Sequence, residues 1–199
     1  MKVTEPRLTA ALDRPSADVR LFLLYGPDES TAMAHAARLA RAMGQGAERI
    51  DLDGPTLRGD PARLSDEASS LSLFGDARYV RVTGAGEESL DAVEALLAAD
   101  QAGNPVVMIA PTVKATGKLV KLALTSDRVL AFACYPPNAR DAAAVVSELA
   151  RAQGLRLSPA AVQRIVRGSD GDRAVMAREV EKVALYCDAA PDRPRDADE

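Results

Sequence analysis

The chain has 199 residues, 47% of them hydrophobic and only 4% aromatic, and its 29 acidic against 25 basic side chains give a net charge of −4. That length carries one domain or one and a half with a sizeable core, and the acidic balance excludes non-specific DNA binding by the whole surface while leaving room for a local basic patch. No apolar run approaches the roughly 20 residues of a membrane span, and residues 1–19 lack a signal-peptide core, so the chain is expected in the cytoplasm with no membrane partner.

In chain order, "LFLLY" (21–25) is an apolar strand that runs into a turn at Gly26 and then a helix with Ala32, Ala36, Leu39 and Met43 on one face. "ERIDLDG" (48–54) reads as a second strand, and Asp60 followed by Pro61 reads as the cap and first turn of a helix through Leu64 and Ala68. A third strand covers 78–84. The next helix, 87–100, places Leu90, Val93, Leu96 and Leu97 at helical spacing and is stopped by Gly103, Asn104 and Pro105. "PVVMIAP" (105–111) is apolar throughout, as in a strand buried on both faces. A helix over 115–125 leads to a fifth strand at 128–134. This alternation predicts an α/β fold built on a parallel five-stranded sheet flanked by helices.

After "YPPNARD" (135–141) no strand signal is evident. Helical patterns cover 139–152, then 159–167 behind Ser158 and Pro159, then 172–187 behind "GSDGD". The domains expected are therefore an α/β domain over 1–136, a three-helix lid over 137–188, and a disordered tail over 189–199, where Pro and charge dominate.

Strand, glycine turn and helix at 21–43 have the layout of a phosphate-binding loop without its chemistry. A working loop reads G-x-x-x-x-G-K-[ST], with backbone N–H groups and a Lys for phosphates and a hydroxyl for Mg²⁺. Here Pro27 has no N–H, and Asp28 and Glu29 bring carboxylates to the helix N-terminus, where they complement its dipole and would repel a phosphate. The third strand ends in Val82-Thr83-Gly84 rather than in an acidic pair for magnesium and water. No catalytic residue, nucleotide cofactor or metal site is expected. Cys134 and Cys187 lack C-x-x-C spacing and read as small hydrophobes. His35, among alanines, has no neighbouring nucleophile, and Glu179, Glu181 and Lys182 read as helix-face charge pairs.

Four stretches, "LLYGPDES" (23–30), "SLSLFGDARYVRV" (70–82), "VVMIAPTVKATGKLVKLAL" (106–124) and "EVEKVALY" (179–186), resemble in order and spacing the delta subunit of the bacterial DNA polymerase III clamp loader. The resemblance covers essentially the whole chain. It implies an AAA+-like α/β domain followed by the helical lid, and a third, collar domain that has no counterpart here. It also implies a non-catalytic subunit that binds and opens the ring-shaped beta sliding clamp in DNA replication. ATP hydrolysis then belongs to its partners, the gamma/tau and delta-prime subunits of the loader, whose holoenzyme is a DNA-directed DNA polymerase. DNA contact would be indirect. The alternative is another silent AAA+ replication adaptor, of the delta-prime or initiator-related type. Delta-prime would carry a cysteine zinc module, which is missing.

Leu73 and Phe74 fall in a connecting segment between Ser72 and Gly75, although Phe occurs only three times in the chain. On the residues alone they either tuck under the sheet edge as core or stand exposed for a partner. The resemblance makes them the plug that enters a hydrophobic pocket on the clamp, with Ser70, Leu71, Ser72 and Asp76 flanking it. Burial of the pair yields about 3 to 6 kcal/mol, and about 4 kcal/mol corresponds only to millimolar affinity, so the plug must act within a wider contact. Lys114, Lys118 and Lys121 are spaced to share one face of the 115–125 helix. They form either a solvated face or a basic face for DNA phosphates or an acidic partner.

Overall fold

A computed structural model describes residues 2–71, 77–136 and 139–198. The chain divides into two compact units, 1–135 and 136–199.

In the first unit the chain runs α1 (Glu5–Asp13), β1 (Leu21–Tyr25), α2 (Glu29–Met43), β2 (Glu48–Asp53), α3 (Gly54–Gly59), α4 (Ala62–Ser69), β3 (Arg78–Thr83), a 3-10 turn (Glu87–Ser89), α5 (Leu90–Ala98), β4 (Val106–Ala110), α6 (Lys118–Thr125) and β5 (Val129–Ala133). The five strands form one parallel sheet in the order β2-β3-β4-β1-β5. Between β4 and β5, β1 pairs Leu21 with Val106 and with Val129, so alternate residues of three apolar strands face opposite ways. Leu21, Leu23, Val80, Val82, Val106 and Met108 pack with Leu57, Leu64, Leu96 and Leu119 of α3 to α6. Phe22, Leu24, Val107, Ile109 and Leu130 pack with Leu8 and Leu12 of α1 and Ala36 and Leu39 of α2. Burial on both faces explains why β1 and β4 are apolar without alternation.

Two expectations in this unit need correction, and one element, a helix at the N-terminus, has no counterpart among them. The N-terminal residues form a helix, α1, with Pro6 in its first turn and buried Leu8 and Leu12 four apart. Asp60 does not cap a helix. Asp53 does so one segment earlier, accepting from the Thr56 N–H at 2.8 Å, while Asp60 closes α3 with its own N–H on the Thr56 carbonyl. The sixth helix begins at Lys118 rather than 115, because Glu87 supplies the cap: its Oε2 accepts from the N–H groups of Lys118 (2.9 Å) and Leu119 (3.2 Å).

The second unit contains α7 (Ala139–Ala152), β6 (Leu155–Leu157), α8 (Pro159–Gly168), α9 (Arg173–Tyr186) and β7 (Arg195–Ala197). Ser158 caps α8 through the Ala161 N–H, and Asp172 caps α9 through the Ala174 and Val175 N–H groups. Val146, Val162, Ile165, Met176 and Val180 form its core. The tail expected to lack structure instead pairs β7 in parallel with β6. Gly154, at φ +73°, makes this possible: a Cβ there would strike the Ala190 carbonyl, and the Arg195 N–H donates to the Gly154 carbonyl at 2.9 Å. Among the described residues no helix is long and apolar enough to cross a membrane.

Candidate functional site: the carboxyl edge of the sheet and the end of α4

In open parallel sheets ligands bind beyond the carboxyl ends of the strands, where helix N-termini aim their N–H groups. Here that edge is engaged by the chain itself. The Gly26 N–H donates to the Ala110 carbonyl at 3.2 Å, and the Asp28 N–H donates to the Cys134 carbonyl at 3.1 Å. Gly26 has φ +111°, and a Cβ there would run into the Cys134 carbonyl, so the turn lies directly on the end of β5. Asp28 is buried, and its Oδ1 accepts from the Thr31 N–H at 2.9 Å. Two other helices of this edge are treated alike, α3 by Asp53 and α6 by Glu87.

The residues after β3 follow the same logic. Glu87 serves α6, and Glu88 reaches to within 3.9 Å of Arg58. At the end of β5, burial first of all, and then the carboxylates of Asp28 and Glu5, push the Cys134 thiol up to about 12, which keeps it neutral. Cys134 and Cys187 are both free thiols. His35 is a buried side chain of α2 that meets the edge of the Phe132 ring at 5.3 Å between centroids and lies 3.6 Å from the Glu5 carboxylate. Among the described residues no group of His, Cys, Asp and Glu is arranged to hold a metal.

Of the plug residues, Ser72, Leu73, Phe74 and Asp76 lie outside the described residues, so only the two ends of their segment have geometry here. At its start, Ser70 ends α4, with its N–H and its Oγ both on the Asp66 carbonyl. Leu71 follows at 90% exposure, against complete burial of Leu64 and Ala68 in the same helix. At its far end, the Ala77 carbonyl accepts from the Glu48 N–H at 2.8 Å, and Arg78 bridges to Glu67 at 2.7 Å and to Glu48 at 3.2 Å. Both ends are thus anchored to the sheet and to α4. The Asn104 side chain, which the sequence offered only as a stop signal, donates to the Glu67 and Ser70 carbonyls at 3.0 and 2.7 Å.

The basic series needs correction. Lys114 lies in the turn before α6, Lys118 opens the helix and Lys121 is one turn on, so only the last two share a helical face. All three are exposed. In α9 the Lys182 ammonium lies 2.6 Å from the Glu179 carboxylate, as the helix spacing predicts.

No protein-family model matches the sequence, and no curated protein matches it. Among solved structures, the Bacillus subtilis DNA clamp loader delta protein superposes with a TM-score of 0.68 at 15% identity, over 96% of this chain and 59% of the other. A variant of Thermotoga maritima RuvB superposes with a TM-score of 0.50 at 18% identity, over 95% of this chain and 62% of the other. This chain therefore spans less than two thirds of the length of each. At such identities the likeness establishes the fold: a five-stranded parallel sheet flanked by helices and followed by a small helical unit, similar to the corresponding part of a clamp loader delta protein.

Proposed function

We propose that this chain is a delta-type clamp-loader subunit that binds the beta sliding clamp through Leu73 and Phe74, flanked by Ser70, Leu71, Ser72 and Asp76, and holds the ring open without hydrolysing ATP. The observation that carries the reading is the exposed Leu71 at the exit of α4, an apolar residue spent on solvent two positions before Leu73. It sits on a fold shared with a clamp loader delta protein. The self-engaged edge at Gly26, Asp28, Asp53 and Glu87 supports the second half, since N–H groups bound to carbonyls and carboxylates do not cradle a triphosphate.

Opening requires no chemistry in this subunit. A ring that samples a sprung state is held in that state by any ligand that prefers it, and the differential affinity supplies the work. The plug acts as the hot spot and the flanking residues exclude water around it. Partner subunits, gamma/tau and delta-prime, would supply the nucleotide-dependent control, and Lys114, Lys118 and Lys121 would face DNA phosphates or an acidic partner surface. The test is binding to the immobilised clamp with and without Mg-ATP. Equal, saturable binding in both supports the reading, and binding that appears only with nucleotide defeats it.

A further inference from the structure

Asn104 bonds to three carbonyls in and just after the last turn of α4. Its Nδ2 donates to the Glu67 and Ser70 carbonyls and its backbone N–H to that of Ala68 at 2.9 Å, while the Ser69 hydroxyl returns a bond to the Gln101 carbonyl at 2.6 Å. The last carbonyls of a helix have no partners of their own, and an eight-residue helix holds its end weakly. The loop that carries Asn104 is itself fixed from beneath. Buried Arg20, just before β1, donates to the carbonyls of Leu96, Ala99 and Asp100.

The bond to Ser70 is the informative one. Ala68 is the last buried residue of α4, so the core is complete two positions earlier. What lies beyond Ser70 is Leu71, at 90% exposure, which adds nothing to that core. A hydrogen bond placed past the core fixes direction rather than packing.

We propose that Asn104 is a positioning residue, which sets the direction in which the chain leaves α4 at Ser70 and so presents the exposed Leu71 to the clamp before contact. The proposal rests on the function proposed above. A fixed exit lowers the ordering cost of association, so its loss appears as weaker binding without the loss of any clamp contact.

The experiment compares the parent chain with Asn104→Asp, which keeps shape and backbone donor but loses Nδ2, with Asn104→Ala, and with Leu39→Ala, a core truncation on the other face of the sheet. Clamp affinity, melting temperature and hydrogen exchange at the Ser69 and Ser70 amides are read for each. Both Asn104 variants are expected to bind about three- to thirtyfold more weakly and to exchange faster at the end of α4. Leu39→Ala melts lower than either and binds like the parent. Asn104 variants that bind like the parent, or a Leu39→Ala loss of affinity equal to theirs, would overturn the proposal alone. A parent chain that does not bind the clamp would defeat this proposal together with the function on which it rests.

Discussion

Asp28 and Cys134 hold the turn after β1 against the end of β5: the Asp28 N–H donates to the Cys134 carbonyl at 3.1 Å, and the Cys134 N–H donates to the Tyr25 carbonyl at 2.7 Å. With Pro27 between Gly26 and Asp28, the donors that a phosphate would need are absent or already engaged. Titration calorimetry with millimolar Mg-ATP or Mg-ADP is expected to give no saturable heat. A micromolar isotherm would contradict this account of the loop.

The reach of Glu87 from the 3-10 turn to the start of α6 makes it a cap supplied from another element. Glu87→Ala should cost about 0.5 to 2 kcal/mol, the usual cost of a lost cap, by leaving the Lys118 and Leu119 N–H groups to solvent. Urea unfolding measures it. An unchanged midpoint would mean that water replaces the carboxylate without penalty.

Asp53 has a testable pH signature. Its hydrogen bond from Thr56 holds its carboxyl below the usual carboxylate value. A folded-state pKa lowered in this way contributes stability that is present above the unfolded value, about 3.9, and is lost as pH falls through the lowered one. Asn caps a helix as well as Asp does, so Asp53→Asn should melt close to the parent at pH 7. Below about pH 4 the parent should lose stability relative to the variant. Melting curves that stay parallel from pH 7 to pH 2 would exclude this contribution.

The parallel sheet was legible because β1 and β4 are continuous apolar runs between turn signals, a pattern that burial on both faces imposes. Ser158 and Pro159 likewise announce α8, since cap and first turn are local. The errors arose where a long-range partner overrides local spacing. Glu87, some thirty residues upstream, decides where α6 begins, and that removes Lys114 from the helix face. Pairing between residues forty apart gives β7 an order that its composition does not suggest. Asn104 reads as a stop signal because its partners on α4 are distant in sequence. Of the candidate site, Leu73 and Phe74 were legible as apolar residues in a connecting segment, whereas Leu71 entered only as a flanking residue implied by the resemblance and is 90% exposed.

If Leu73 and Phe74 act as the proposed plug, Leu73→Ala with Phe74→Ala should abolish measurable clamp binding and leave the melting temperature nearly unchanged. Core residues would behave in the opposite way, because truncating a buried Leu and Phe costs several kcal/mol. A large fall in melting temperature would return both side chains to the interior.

The central claim is that this chain opens the clamp by preferential affinity, without nucleotide. The most direct measurement is the rate at which the beta clamp leaves nicked circular DNA when this chain is added in the absence of ATP. The account predicts release that accelerates with added chain and saturates, and that is lost in the Leu73→Ala, Phe74→Ala variant. Binding to the clamp with no change in its rate of release would contradict it.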